Sequence, residues 1–418
     1  MKERLKALFA YFNRVVEVMK EKLEPLFAYS SQAWKKTDKR FYVYLGVLLL
    51  IILLAGVNWF HMILYGAGVT DSSDFVPWGI FIVGFVFFVG ASAGATIIGL
   101  MIYAFDRTDY KALGIRAIIF GLLSLVAAVL NLLGDVGVPW RTLLIPWVLR
   151  NMTSMLIYTT STYMLFFMLL SAELYFALRI VLGSKAEFDK TMAKWLAIGA
   201  VPFALVVLHA PHGALFAVVK AREYWHSALL PAHFAVSALV TGTALMILTT
   251  IVTSTVEKRQ VVKTDTLVHM GKLLAFFITV NIFFDFFDIF VLKYSEEIEG
   301  IEAWELLTSR FSPMFVWNFV GLFGGLFVLL SKKGKTIKGL SVACCLTVTG
   351  IIAYRYYLIV VAQIVPLQPG LPHVYYYPTF TEWSISAGIV ALILFLYAVL
   401  TKLLPMEARD LEGRQVEQ

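Results

Sequence analysis

Cysteine is almost missing from this chain: among 418 residues there are two, Cys344 and Cys345, side by side in an apolar run. Adjacent thiols in such a run suit neither a disulfide nor a zinc or iron–sulfur site, which need several spaced thiolates. Any cluster is therefore expected in a partner. Charge is scarce as well, with 15% charged against 60% hydrophobic residues and a mean hydropathy of +0.79. A soluble globular surface cannot be built from that composition. The first 40 residues lack an uninterrupted apolar stretch, so no cleavable signal peptide is expected.

What the chain has instead is long apolar runs. About ten are long enough to cross a hydrocarbon core of roughly 30 Å as helices, near 42–65, 78–104, 112–134, 155–181, 191–219, 229–255, 264–292, 314–331, 338–364 and 382–403. The fold predicted is an all-α integral membrane bundle of about ten transmembrane helices over residues 41–404. An amphipathic segment, 1–40, precedes it and a short tail, 405–418, follows. In the first segment Leu5, Leu8, Phe9, Phe12, Val15, Val16, Met19 and Leu23 recur at helical spacing among Lys and Glu, which suits a helix lying on a membrane surface or a partner subunit.

The net charge of +7 invites a nucleic-acid partner, but its distribution has a simpler cause. Of the 35 Lys and Arg, 27 fall in the two tails and the even-numbered loops, and the odd loops hold only Arg141, Arg150, Lys220, Arg222, Lys293 and Arg310. By the positive-inside rule both termini are cytoplasmic and the protein is a multi-pass protein of the cell membrane, with lipid and not nucleic acid as its surroundings.

Against this orientation the polar intramembrane residues are one-sided. Asn58, His61, Asp135, His209, His212, His233, Asp285, Asp288 and Arg355 all fall in the outer half, while Glu173, His269 and Lys272 lie inward. Ionisable groups inside a membrane are expensive and are functional candidates by default. Together they predict a polar pocket under the outer surface, rimmed by Trp59, Trp78, Trp140, Trp147 and Trp225, with Asp285 or Asp288 paired to Arg355. Tyr158 opens a hydroxyl-rich outer third of the fourth span, and Gly90 to Gly94 is a small-residue run that lets helices approach closely. The outer loops 293–313, which is acidic, and 365–381, rich in Pro and Tyr, offer surfaces for an extrinsic protein.

Three ligands fit such a pocket. Haem iron is often held by His, but His209 and His212 are only three residues apart, not spaced to hold two stacked haems on one helix. A transporter would place its site near the midplane on broken helices, whereas these groups are off-centre. A quinone needs hydrogen-bond donors and a proton acceptor in an apolar cleft, which His, Tyr, Asn and a carboxylate supply.

The order Asn58-Trp59-Phe60-His61, Pro77-Trp78-Gly79, the Gly90 to Gly94 run, and His209 to Phe234 with Gly213, Leu215, Phe216, Trp225, Pro231 and His233 resembles the NrfD/PsrC-type membrane subunits of polysulfide reductase-like complexes. The ten spans look like the longer branch typified by DsrP and HybB. The resemblance implies a bundle with no haem, metal or iron–sulfur cluster of its own. It would exchange electrons between menaquinone near the outer face and an extrinsic iron–sulfur protein there, with further membrane, cytochrome and cytoplasmic subunits, in sulfur- or sulfite-linked anaerobic respiration such as sulfate reduction. It implies His61 and Asp135 as the proton-handling pair, Asn58 as the residue positioning the ring, and Trp78, Arg141, Tyr158, His209 and His212 around the quinone, with Arg141 or Arg150 biasing charge at the mouth. A proton route would use Glu173, Asp285 and Arg355.

Overall fold

The computed structural model describes residues 26–35, 37–136, 153–368 and 371–407. Among these there are ten helical stretches long and apolar enough to span a membrane, and no strand. The chain runs through α1 (Lys39–Tyr65), α2 (Ile80–Ala95) continued by α3 (Ile97–Tyr103), α4 (Gly114–Asp135), α5 (Met155–Val181), α6 (Glu187–Pro202), a π-helical turn (Phe203–His209), α7 (Ala210–Ala217), α8 (Leu230–Glu257), α9 (Thr264–Tyr294), a short α10 (Ile298–Thr308), α11 (Ser312–Leu330), α12 (Ile337–Ile364) and α13 (Phe380–Leu403). The ten-helix bundle read from hydropathy is present, with span ends within a few residues of expectation. The amphipathic segment is described only from residue 26, where 26–35 are helical.

Burial sorts the helices by role. The α2–α3 span is 83% buried in its most apolar window and the α12 span 72%, whereas the α1 and α5 spans are each 17% buried and face outward. Helix α2 packs on α4 and α8, α8 on α9 and α12, α11 on α12, and α1 on α13. With lipid as apolar as leucine, such helices associate by close packing rather than by exclusion of water. Small residues make this possible at the α2–α8 crossing. A Cβ on Gly94 would stand 2.0 Å from the Ala238 carbonyl oxygen, and one on Gly242 2.3 Å from the Gly94 carbonyl carbon. Glycine is required there because backbone, not a side chain, is the neighbour.

The end of the bundle opposite the lysine-rich loops is tied by buried polar contacts across the sequence. Gln363 of α12 accepts from the Trp78 amide and donates to its carbonyl, both at 2.9 Å. The Ile80 amide donates to the Tyr376 hydroxyl (2.8 Å), which donates to Glu382 (2.7 Å). Thr379 and Glu382 form a capping box at the start of α13. These bonds satisfy amides that the first turn of α2 would otherwise leave open, and a Cβ on Gly79 would overlap the Tyr376 hydroxyl at 2.2 Å.

Leucine at Gly94 therefore forces α2 and α8 apart, and overpacking of this kind costs about 1–3 kcal/mol or more. Gly94→Leu is expected to lower the melting temperature in detergent or abolish the monodisperse protein. Gly46→Leu, at a position with no atom within 4 Å of the new Cβ, leaves both unchanged.

Candidate functional site

Helix α9 carries Asn281, Asp285 and Asp288 at i, i+4 and i+7, one face of a helix, and that face meets His233 in the first turn of α8. The His233 ring is fully buried. Its Nδ1 lies 2.8 Å from Asp288 Oδ2 and its Nε2 3.3 Å from Asp285 Oδ1, and the Tyr354 hydroxyl of α12 is 2.9 Å from the same Nδ1. Asn281 donates to Asp285 Oδ2 at 2.9 Å. An imidazole with a carboxylate at each nitrogen can hold a proton and pass it either way.

The expected pairing of Asp285 or Asp288 with Arg355 is not the one formed. Arg355 is buried with its guanidinium carbon 3.8 Å from the Phe234 ring centroid, and it donates to the Ser237 hydroxyl of α8. Its long side chain crosses to α8, which leaves the shorter histidine to take both carboxylates. His233, expected among the polar residues of the outer half but given no role at the quinone or in the proton route, is thus the centre of this group. The signal that could have found it is the α9 acidic face, which must meet a cation on another helix.

His209 and His212 flank the end of the π-helical turn, a feature frequent at functional sites. Their rings stack with centroids 6.1 Å apart, both are buried, and His212 Nδ1 lies 2.7 Å from the Leu208 carbonyl. Among the described residues both nitrogens of His209 and Nε2 of His212 lack hydrogen-bond partners. The Gly90 of α2 sits against His209, whose ring a Cβ would meet at 3.2 Å. Trp78 stacks on Trp225 at 5.5 Å, and the Trp225 indole donates to the Leu358 carbonyl at 2.7 Å.

The remaining expected residues do not join one pocket. Asn58 donates to Ser384 of α13 (3.1 Å) and to the Leu54 carbonyl (2.9 Å). His61 is exposed, its ring tilted against that of Tyr65 with centroids 4.6 Å apart, because α1 lies at the periphery and packs mainly on α13. Asp135, at the end of α4, lines a cavity of about 40 Å³ with Met62, Gly66, Thr70 and Phe81. Tyr158 is 44% exposed on α5. Trp140, Arg141, Trp147 and Arg150 lie outside the described residues. Glu173 is buried at the other end of the bundle and lines a cavity of about 890 Å³ with Gly99, Tyr103 and Lys111. There too His269 is held between Arg107, which donates to its Nε2 (3.1 Å), and Tyr110, whose hydroxyl is 2.7 Å from its Nδ1.

A second cavity, about 210 Å³, opens beside the His233 group. It is walled by Tyr224, Tyr354 and Tyr357, with Asp285 and Asp288 in its floor and Glu223 and Glu297 at its rim. Burial and the neighbouring charges of Glu297 and Glu299 push the Glu223 carboxyl above its ordinary range, and burial raises the Tyr224 phenol well above its own.

These observations define a polytopic, all-helical membrane protein with its buried histidines gathered at one end of the bundle. The chain belongs to the polysulphide reductase NrfD family, whose model matches residues 68–367, a stretch that begins after Asn58 and His61 and ends after α12. It is similar to a selenate reductase subunit of Mesobacillus selenatarsenatis, at 27% identity over 89% of this chain and 96% of that one. It is also similar to the Hdr-like menaquinol oxidoreductase integral membrane subunit of Archaeoglobus fulgidus (25%, over 88% and 95%). A third relative is the menaquinone reductase integral membrane subunit of Nitratidesulfovibrio vulgaris (23%, over 84% and 88%).

Removing the imidazole leaves two carboxylates close together without the group they share, and breaking a buried pair on one side costs about 3–5 kcal/mol. His233→Ala is expected to lower the melting temperature far more than Asp288→Asn, whose side chain is 18% exposed. Thermal unfolding of the purified variants in detergent checks this, and equal shifts would contradict it.

Proposed function

We propose that this chain is the quinone-interacting integral membrane subunit of a multi-subunit respiratory oxidoreductase. Menaquinone or menaquinol binds at the end of the bundle opposite the lysine-rich loops, and electrons are exchanged there with an iron–sulfur protein docked on the same, outer face. The relatives named as menaquinol oxidoreductase and menaquinone reductase membrane subunits support the quinone, and the near absence of cysteine supports a cluster held by a partner. Cytoplasmic termini follow from the lysine and arginine bias. Sulfur-linked anaerobic respiration is the setting we assign, its terminal couple carried by the partner subunits.

The observation that carries the reading is the position of Asp135, the one ionisable group among the described residues of the small cavity between the outer ends of α1, α2 and α4. A quinone supplies a carrier of two electrons and two protons. Toward it, Asp135 offers a carboxyl that accepts or returns a proton, held beside the apolar surface of Met62, Ile63 and Phe81. His61, exposed on α1 with its ring tilted against Tyr65, faces out of the bundle, from where a lipid-soluble ligand arrives. Asn58 keeps its amide nitrogen on Ser384 and Leu54 and leaves its carbonyl oxygen to accept from a quinol hydroxyl. At about 40 Å³ the cavity is smaller than a two-ring head group and would take only the edge of the ring.

Proton entry from the opposite side would begin at Glu173. Its carboxyl lines both the wide cavity at the lysine-rich end and a smaller one that reaches Ser92 and Gly121. Asp285, with His233 and Arg355, would be its counterpart at the outer end.

Purified wild-type protein is expected to release menaquinone on solvent extraction and to show no haem absorption. Asp135→Asn and His61→Ala are each expected to lower bound quinone and to slow quinol-dependent electron transfer in the assembled complex by about 100-fold, the lower range for loss of one proton-transfer group. Quinone retained at the wild-type level in both variants, or a haem band, would sink the assignment.

A further inference from the structure

The 210 Å³ cavity beside His233 is lined by four carboxyl groups, Glu223, Asp285, Asp288 and Glu297, against which the described residues set only imidazoles, His233 shared by the two aspartates behind the floor and His226 in the wall. Asp285, only 2% exposed, and Asp288 form its floor, and each keeps one carboxylate oxygen that accepts no hydrogen bond from the described residues; the 3.3 Å contact from His233 to Asp285 Oδ1 is out of line for one. At the rim Glu223 and Glu297 face each other, with Glu299 accepting from the Glu223 amide at 3.3 Å.

Basic residues on the surrounding elements are turned elsewhere. Arg222 donates to the Val365 carbonyl, Lys293 sits over Trp304 at 4.8 Å, Arg310 over Tyr375 at 3.7 Å and Arg355 over Phe234. His226, which also lines the cavity, has its Nδ1 2.7 Å from the Ala217 carbonyl. A bare metal ion is a poor occupant, since among the described residues no three His, Cys, Asp or Glu side chains converge closely enough to hold one. The volume lies below the roughly 300–1,000 Å³ of small-molecule pockets, and the tyrosine walls offer ring faces suited to an ammonium or guanidinium group.

We propose that this cavity is the socket for a lysine or arginine side chain of the extrinsic subunit. The charged head would lie between the Glu223–Glu297 rim and the Asp285–Asp288 floor, with its methylene stem against Tyr224 and Tyr357. The socket rests on the reading above that a partner docks on this face, and it adds to that reading where and by what chemistry the partner is anchored. The floor carboxylates then gain a counter-charge on assembly, and the subunit interface and the His233 group become one electrostatic unit.

The test uses the intact complex in detergent and follows the rate at which the extrinsic subunit dissociates. Truncating one side of a buried interfacial charge pair acts mainly on dissociation. Glu223→Gln with Glu297→Gln is therefore expected to speed release by about thirtyfold or more, and Glu223→Lys to prevent stable association. Glu187→Gln, exposed at the opposite, lysine-rich end of the bundle, leaves the rate unchanged. The variants change rim residues, and an unaltered melting temperature of the membrane subunit verifies that each is folded. Wild-type dissociation rates in both rim variants overturn the socket while leaving the docking face intact. If no extrinsic subunit accompanies the wild-type chain in a purification that retains its other partners, the docking reading and the socket fall together.

Discussion

Three helices close on one imidazole. His233 on α8 stands between two carboxylates of α9 and beside a phenol of α12, and no other described residue of that region compensates Asp285 and Asp288. In a hydrocarbon surrounding, an unpaired carboxylate is costly enough that helices carrying one must bring its partner with them. The pairing fixes the register of α8 against α9, and that register carries the rest of the region. Four residues along α8 from His233, Ser237 receives Arg355, and one residue along, Phe234 lies under the guanidinium and against His209. The stacked histidines, the tryptophan pair and the acidic cavity all border this assembly.

The close approach of α2 to α8 is a second constraint that works with the first. Gly94 and Gly242 let the backbones meet, and this draws Gly90 up to the His209 ring. A small-residue run that on its own reads as packing thereby also defines the wall of the buried histidine pair. The π-helical turn Phe203–His209 brings the same pair inward from the other side.

Hydropathy alone made the ten spans legible, since a run of about 20 apolar residues has few other uses. The asymmetry of the polar residues was legible too, and the acidic face of α9 could be read from its spacing. Which cation meets that face could not, because sequence spacing says nothing about how far a side chain reaches between helices, and Arg355 has reach enough to bypass its neighbours. Helix α10 reads as acidic loop in the sequence, though Gly300, Ala303, Leu306 and Leu307 recur at helical spacing and are buried where α10 packs on α9, α11 and α12. The peripheral place of α1 was equally hidden. An Asn and a His three residues apart share a face, but only the packing of α1 on α13 decides that Asn58 turns to Ser384 while His61 looks outward.

The two ends of the bundle are built from different chemistry, and the difference bears on what can cross between them. At the lysine-rich end a wide cavity with Asp109, Lys111, Lys190, Lys263 and Glu407 in its walls leads to the buried carboxyl of Glu173. At the other end charges are dense, mutually engaged and close to the surface. Between them stand the hydroxyls of Ser92, Ser124 and Thr243 and the open nitrogens of His209 and His212, each buried without a hydrogen-bond partner among the described residues. Buried polar groups of this kind are satisfied by ordered water where there is room for it. A bundle held together by close small-residue contacts thus still keeps a string of polar groups in its interior, from a carboxyl at one end to imidazoles at the other, each a place where water can be held.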